Sequence, residues 1–186
     1  GVVEGKDAGE VERRGGVVNV GLDWFRAGDL AAALAGLTPE NKAGEIYLTD
    51  GVTRLKPVAI LEIGDPEEGL GINDRVELAR AEKVVRRRVL ERLMLSGVTV
   101  RDPDSTWVGS NVEIGQDTVI EPFTVILGKT RIGSGCSIGP HADIAEAEIG
   151  DGCRIEHSWL RGGLRGDRTD RGPLARIRAG TVIASD

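Results

Sequence analysis

An aliphatic residue recurs at every sixth position through the second half of this 186-residue chain. A period of six fits neither an α-helix face, which repeats every 3.6 residues, nor the two-residue alternation of an ordinary strand. It is typical of a parallel β-helix, in which each hexad forms one short wall strand. The series is Val108, Ile114, Ile120, Ile126, Ile132, Ile138 and Ile144, and after a slip of one residue it resumes at Ile149 and Ile155.

Small or β-branched residues recur two positions before these aliphatic anchors. Because side chains two apart in a strand point to the same face, each hexad should direct two side chains inward. About three hexads should make one coil, and stacked coils bury what one coil cannot. Cys136 and Cys153 are thereby predicted to be small core residues rather than nucleophiles or metal ligands. The small positions are Thr106, Val112, Thr118, Thr124, Thr130, Cys136, Ala142, Ala147 and Cys153.

A helix is predicted just before the repeats. Asp74-Arg-Val-Glu77 has the D-x-x-E form of a capping box, apolar residues recur at helical spacing up to Leu93, and Gly97 suits the position after the last turn. The run Arg86–Arg88 is predicted to be a solvated face of this helix. Because the sequence patterns before and after this helix differ, we expect it to connect two domains.

The first part of the chain has a different pattern. Short apolar runs at 1–3, 17–18 and 57–61 alternate with Gly, Asp and Pro, and one helical pattern spans 27–37. Strands that alternate with helices predict part of an α/β sheet. We therefore expect a partial α/β domain at 1–72, a connecting helix at 73–97 and a β-helix at 98–186.

Composition argues against several classes of protein. The formal net charge of -6 offers no global attraction for nucleic acid or an anionic membrane. No run approaches 18 consecutive apolar residues, and the first residues lack the basic and apolar regions of a secretory signal. The two cysteines form no CxxC motif. We expect free thiols, a cytoplasmic location, and neither a nucleic-acid nor a membrane partner.

Several stretches, taken in their order and spacing, resemble one bacterial family. Besides the hexads, they are Val3–Ala8, Val18–Gly21, Gly44–Asp50, Gly71–Arg75, Gly97–Thr106 and Gly172–Arg178. The family is the bifunctional N-acetylglucosamine-1-phosphate uridyltransferase and glucosamine-1-phosphate acetyltransferase. The resemblance covers essentially the whole of this chain and the middle of the family's chain.

The resemblance implies both a fold and two reactions. The fold would be a partial, Rossmann-like nucleotidyltransferase domain followed by a left-handed parallel β-helix that forms a homotrimer. The first domain would join UTP to N-acetylglucosamine 1-phosphate with Mg²⁺, giving UDP-N-acetylglucosamine. The β-helix would acetylate glucosamine 1-phosphate with acetyl-CoA as co-substrate. The hand of the coil comes from the resemblance, because a period of six does not determine it.

Four binding residues are also implied by the resemblance. Glu4 and Asn19 match a carboxylate and an amide that hold the sugar nucleotide, and both chemistries suit hydroxyl groups. Asn73 matches an asparagine that binds Mg²⁺ and the product nucleotide, since an amide oxygen is a hard ligand. By residue type alone, Asn73 is equally typical of a helix cap. Arg178 matches an arginine that binds the acetyl acceptor, whose phosphate a guanidinium group can clamp.

In that family, some of the catalytic residues for each of the two reactions lie outside the stretch that this sequence matches. The glycine-rich triphosphate loop, its lysine and an acidic metal ligand precede Gly1, and the histidine base of acetyl transfer lies beyond Asp186. His141 and His157 do not match that base, so the catalytic residues are not identified in this sequence. Phosphoryl transfer depends on such positioning groups, so we expect this chain to transfer neither group by itself.

The hexad pattern is interrupted at Leu160–Arg171. Anchor positions near 165, 169 and 171 carry Arg165, Thr169 and Arg171. A buried, unpaired guanidinium group is strongly destabilising, so these arginines cannot all point inward as ordinary anchors. The segment is predicted to loop out. Two alternatives are ion pairs with Asp167 and Asp170, or an anion site for a sugar phosphate or coenzyme A.

Two other functions fit the same sequence. One is a non-catalytic, trimeric β-helix scaffold. The other is a different sugar-1-phosphate nucleotidyltransferase that carries a β-helix, such as a mannose-1-phosphate guanylyltransferase.

Overall fold

The computed structural model describes residues 19–39, 44–52, 54–162 and 166–178. The chain divides into two compact units, Gly1–Gly71 and Ile72–Asp186. Within the described residues, no helix is both long enough and apolar enough to cross a membrane.

Short helices are the regular secondary structure in the described part of the first unit. They are α1 (Ala27–Leu34), α2 (Leu48–Val52) and a 3₁₀ helix at Pro66–Gly69. Helices α1 and α2 pack where Ala33 is buried and Gly51 has no side chain, since a Cβ atom on Gly51 would lie 3.8 Å from Ala33 Cβ. Asp65 caps the 3₁₀ helix, because its Oδ1 accepts a hydrogen bond from the backbone N–H of Glu67 at 2.9 Å.

The Rossmann-like α/β sheet expected in this unit is not evident. Residues 19–39, 44–52 and 54–71 contain no strand. The run 57–61, predicted as a strand, leaves Ile60 81% and Leu61 91% exposed. A strand needs a partner for its backbone N–H and C=O groups, and the described part of this unit supplies none. The apolar runs at 1–3 and 17–18 lie outside the described residues.

The second unit begins with the long helix α3 (Arg75–Leu95). Asp74 is its N-cap, and the Asp74 carboxylate accepts a hydrogen bond from the backbone N–H of Glu77 at 2.8 Å. The Glu77 carboxylate accepts a hydrogen bond from the backbone N–H of Asn73 at 2.6 Å. The second bond of the predicted capping box therefore involves the residue before the N-cap rather than the N-cap itself. Arg86 is not simply solvated, because its guanidinium group lies 5.3 Å above the ring of Trp107.

Helix α3 buries its last turns rather than its whole length. Val89, Leu90 and Leu93 join the hydrophobic core, whereas Val76 and Val85 are 59% and 55% exposed. The buried residues pack on the first two strands of the repeat region. The helix therefore covers the open end of the β-helix.

The described part of the repeat region forms thirteen short strands in three parallel sheets. Most strands pair with the strand three further along the chain, and the first three coils each contribute one strand to each sheet, whereas the last two pairings join strands that are two apart. Sheet A contains β1 (Thr99–Val100), β4 (Val119–Ile120), β7 (Ser137–Ile138), β10 (Arg154–Ile155) and β12 (Asp170–Arg171). Sheet B contains β2 (Trp107–Val108), β5 (Val125–Leu127), β8 (Asp143–Ala145), β11 (Trp159–Arg161) and β13 (Arg176–Ile177). Sheet C contains β3 (Glu113–Ile114), β6 (Arg131–Ile132) and β9 (Glu148–Ile149).

This architecture confirms the predicted β-solenoid of hexapeptide repeats. The aliphatic anchors are buried except Ile114, which is partly buried and packs against the core, and the series continues beyond the predicted residues to Leu160 and Ile177. Cys136 and Cys153 are free thiols that are 2% and 1% exposed, as predicted for small core residues. The left-handed twist of the coil stays a prediction from the resemblance.

The interrupted segment keeps part of its regular stacking. Thr169 is 1% exposed and takes the small inward position, with its Oγ1 3.2 Å from the sulfur of Cys153. Strand β12 pairs with β10 so that the backbone of Arg171 lies opposite that of Ile155. Residues 166–171 therefore do not loop out. Residues 163–165, which include Arg165, lie outside the described residues.

Candidate functional site

A pocket of about 540 Å³ opens on the outer surface of sheet B. It is lined by Asp143, Trp159, Arg161, Arg176, Ile177 and Arg178. The alternation of strand side chains explains this arrangement, because Leu160 and Ile177 are buried in the prism while their neighbours point outward. Three coils thus contribute polar side chains to one face.

One of the three arginines in the pocket is held by an aspartate. Arg161 Nη2 donates a hydrogen bond to Asp143 Oδ2 at 2.6 Å, and Nη1 donates to the backbone carbonyl oxygen of Asp143 at 3.1 Å. The bond to Asp143 raises the pKa of the Arg161 guanidinium above its ordinary value. The pair is therefore fixed in place and electrically balanced.

The other two arginines supply the net charge of the pocket. Among the described residues, neither Arg176 nor Arg178 has an ion-pair partner. Trp159 lies beside them and is 60% exposed. Guanidinium groups bind phosphate and carboxylate through paired hydrogen bonds, so this surface is suited to an anion.

The four binding residues implied by the sequence lie in different places. Glu4 lies outside the described residues. Asn19 belongs to the first unit, where it is exposed and its Oδ1 accepts a hydrogen bond from the backbone N–H of Gly21 at 3.0 Å. Asn73 precedes helix α3 in the second unit, and Arg178 lines the pocket on sheet B.

Asn73 takes part in the cap of helix α3. Two hydrogen bonds from Asn73 lower the pKa of Glu77 below its ordinary value. The backbone N–H has the larger effect and the side chain has the smaller one. The part of the chain that the structure describes holds no group of three His, Cys, Asp or Glu side chains close enough to bind a metal ion. Mg²⁺ is usually bound by one or two carboxylates together with waters and substrate phosphates, so Asn73 could contribute a ligand without such a group.

The two histidines lie at one corner of the coil. His141 and His157 adopt positive φ angles of 54° and 45°, as does Phe123 one coil earlier. The rings stack in sequence, with centroids of His141 and Phe123 5.1 Å apart and those of the two histidines 5.3 Å apart. This arrangement is a structural corner and gives neither histidine a chemical partner in the pocket.

Sequence reasoning assigned a binding role to only one of the residues that meet in the pocket, Arg178. Arg161 was included in the alternative of an anion site at Leu160–Arg171, and Arg176 belongs to the motif of Arg178, whereas Asp143 and Trp159 carried no local signal. The signal that connects them is the strand register, in which Asp143, Trp159 and Arg176 pair successively across sheet B. That register depends on the number of residues in each coil.

Comparisons with known proteins agree with the solenoid. A family model described as bacterial transferase hexapeptide (six repeats) matches residues 111–145. The chain is 44% identical over 185 residues to a protein of Caldanaerobacter subterraneus subsp. tengcongensis named "Bifunctional protein GlmU". It is 44% identical over 185 residues to the protein of that name from Rubrobacter xylanophilus, and 40% identical over 189 aligned positions to that from Halalkalibacterium halodurans.

These alignments cover 98% to 100% of this chain but 40% to 42% of each relative. The chain thus spans about 40% of the length of the curated relatives that it matches. The matched region includes all of the solenoid described above. Identity at this level along the whole chain shows that it is homologous to a part of the bacterial bifunctional GlmU proteins.

Proposed function

We propose that the chain serves in the synthesis of UDP-N-acetylglucosamine, the function that its family resemblance implies. Its β-helix would form the first coils of an acetyltransferase that passes an acetyl group from acetyl-CoA to glucosamine 1-phosphate. The observation that supports this proposal most strongly is the position of Arg178. The residue assigned to the acetyl acceptor lies in a pocket with a second unpaired arginine, Arg176.

The chemistry of the pocket suits the acceptor. A sugar 1-phosphate carries about 1.5 to 2 negative charges at neutral pH and offers several strong acceptor oxygens. The Arg178 guanidinium group would orient that phosphate on the outer face of sheet B. Acetyl-CoA, when bound, supplies the acetyl group.

The other half of the proposal concerns the sugar nucleotide. Glu4, Asn19 and Asn73 would hold UDP-N-acetylglucosamine, the product of UTP and N-acetylglucosamine 1-phosphate, with Asn73 contributing one ligand to Mg²⁺. The alignments support it because they extend over the first unit as well as the solenoid. The remaining ligands of Mg²⁺ would be carboxylate groups, waters or phosphate oxygens of the nucleotide.

A cytoplasmic homotrimer is part of the same proposal. The outer face of sheet B supports association because it exposes Trp107 and Leu127 to 38% each. Apolar side chains grouped on one face are typical of an interface. Analytical ultracentrifugation of the chain would measure its oligomeric state directly.

Calorimetric titration of glucosamine 1-phosphate into the chain tests the acceptor assignment. We expect Arg178→Ala to weaken binding by about tenfold or more, the loss typical of a charge-assisted hydrogen bond. Arg131→Ala is the matched control, because Arg131 is an exposed arginine on sheet C, where it pairs with Glu113. Equal affinity of the two variants would contradict the assignment.

A second titration tests the nucleotide site. UDP-N-acetylglucosamine with Mg²⁺ should bind Asn73→Ala less tightly than the control Asn111→Ala, which also replaces an exposed asparagine. The alternative of a non-catalytic scaffold predicts a different result. Neither ligand would then change the melting temperature of any variant.

A further inference from the structure

We propose that the pocket on sheet B binds a phosphate monoester attached to a ring, with Arg176 and Arg178 sharing the phosphate and Trp159 packing against the ring. The inference rests on the proposed role of Arg178. It adds two ligand-contacting residues, Arg176 and Trp159, to that role.

The register of the strands places the three side chains around one point. Trp159 of β11 pairs with Arg176 of β13 in a parallel sheet, so their backbones lie about 4.8 Å apart. Arg176 and Arg178 flank Ile177, which is buried. Residues two apart in a strand point to the same side and are separated by about 6.6 Å, a distance that one phosphate group can bridge between two guanidinium groups.

The charge balance of the pocket favours a monoester. Asp143 already balances Arg161 through a hydrogen bond of 2.6 Å, so the net charge of the pocket comes from Arg176 and Arg178. A phosphate monoester carries close to two negative charges at pH 7, which matches these two cations. A diester carries one negative charge and would leave one guanidinium group without a partner.

Trp159 supplies the second part of the recognition. Its indole ring is 60% exposed in a pocket whose other lining side chains, apart from the buried Ile177, are charged. Exposed aromatic rings at the edge of a polar site stack on flat or apolar ring faces. Two ligands relevant to the proposed reaction share this chemistry, namely glucosamine 1-phosphate and the 3′-phosphoadenosine end of coenzyme A.

Titration of three ligands distinguishes these two possible sources of the bound phosphate. Glucosamine 1-phosphate, adenosine 3′,5′-bisphosphate and inorganic phosphate are titrated into the chain by calorimetry. Arg176→Gln should weaken all three by about tenfold, because each loses a charge-assisted hydrogen bond. Trp159→Ala should weaken the two ring-bearing ligands by about fivefold and leave inorganic phosphate unchanged, as expected for loss of a stacking contact.

Matched variants control for indirect effects. Trp24→Ala removes a fully exposed tryptophan from the first unit, and Arg131→Gln removes an exposed arginine from sheet C. Both should retain the affinity of the unaltered chain. Melting temperatures of all variants check that the fold is intact, which we expect because Trp159 is largely exposed.

The outcomes separate this inference from the proposed function. Of the two ring-bearing ligands, the one that binds more tightly identifies the source of the phosphate. If Arg178→Ala abolishes binding of glucosamine 1-phosphate while Arg176→Gln and Trp159→Ala bind normally, the inference is wrong and the acceptor role stands. If the bisphosphate binds through Arg176 and Trp159 but glucosamine 1-phosphate does not bind, the acceptor role is wrong. Failure of all three ligands to bind the unaltered chain would overturn the inference.

Discussion

The hydroxyl group of Thr118 accepts a hydrogen bond from the backbone N–H of Cys136 at 3.0 Å, one coil further along the β-helix. The same hydroxyl donates to the carbonyl oxygen of Gly133 at 2.8 Å. Cys136 repeats the arrangement, because its sulfur accepts from the N–H of Cys153 at 3.4 Å and its thiol donates to the carbonyl oxygen of Gly150 at 3.2 Å. Thr118 and Cys136 therefore connect successive coils by hydrogen bonds.

Thr118→Val should destabilise the fold, because it leaves the N–H of Cys136 and the carbonyl oxygen of Gly133 without this partner. The expected loss in the free energy of unfolding is about 1–3 kcal/mol, measured by urea denaturation. Thr124→Val is the matched control. The Thr124 hydroxyl is buried and has no hydrogen-bond partner among the described residues, so its removal should be neutral or stabilising. Equal losses of unfolding free energy in both variants would contradict the role of the Thr118 hydroxyl group in connecting two coils.

The thiol of Cys136 should be unreactive in the folded protein. Burial raises the pKa of this thiol above its ordinary value of 9.0, so little thiolate forms at neutral pH. A chromogenic disulfide reagent at pH 8 should modify Cys136 slowly in buffer and rapidly in denaturant. Fast modification of the native chain would show that this part of the coil opens easily.

The same pKa shift predicts a loss of stability at high pH. Because the pKa of the Cys136 thiol is higher in the folded state than in the unfolded state, the protonated thiol contributes stability below pH 9.0. That contribution is lost as the pH rises through the folded-state pKa. Cys136→Ser removes this titration, so the difference in stability between the variant and the unaltered chain should change in favour of the variant above pH 9.0. If the difference in stability between the two proteins stays constant across this pH range, the prediction is wrong.

The cap of helix α3 should depend on pH in the opposite direction. Hydrogen bonds from the backbone and side chain of Asn73 hold the pKa of Glu77 below 4.5, so the contribution is present above that pH and is lost as the pH falls through the lowered value. The stability advantage of the unaltered chain over Glu77→Gln should therefore shrink in acid. Asp74→Ala, which removes the N-cap itself, should cost about 1 kcal/mol near neutral pH.

Glycine after an anchor residue should be essential at some turns and not at others. A Cβ atom on Gly133 would lie 2.7 Å from the carbonyl carbon and oxygen of Gly150, whereas one on Gly109 would find its nearest atoms at 3.6 Å. Gly133→Ala should cost about 1–3 kcal/mol through overpacking, and Gly109→Ala should be tolerated. Thermal unfolding of the two variants compares equivalent positions in the repeat. Similar melting temperatures would show that the coils move apart without cost.

The hexad pattern predicted the interior of the solenoid well. Each repeat supplies only two inward positions, and the aliphatic and small residues occupy them in a fixed order, so burial of Ile138 and Cys136 followed from local spacing. The first unit shows why a local pattern does not always suffice. The run that includes Ile60 and Leu61 has the composition of a strand, yet a strand exists only when a partner pairs with its backbone.

The candidate site was predictable only in part. Arg178 was found by its motif, but Trp159 and Arg176 are separated in sequence and meet only because their coils stack. Ile120 pairs with Ile138, Ile138 with Ile155, and Ile155 with Arg171, so successive coils take 18, 17 and 16 residues. No strict repeat of six predicts which outward side chains become neighbours after the register changes.

The sequence by itself determined which residues face the interior, because the period of a strand and the need to bury apolar side chains act over a few residues. The tertiary structure decided which outward residues meet. That decision depends on the length of every coil and on the corners between the strands, which bring Asp143, Trp159 and Arg176 together from three successive coils.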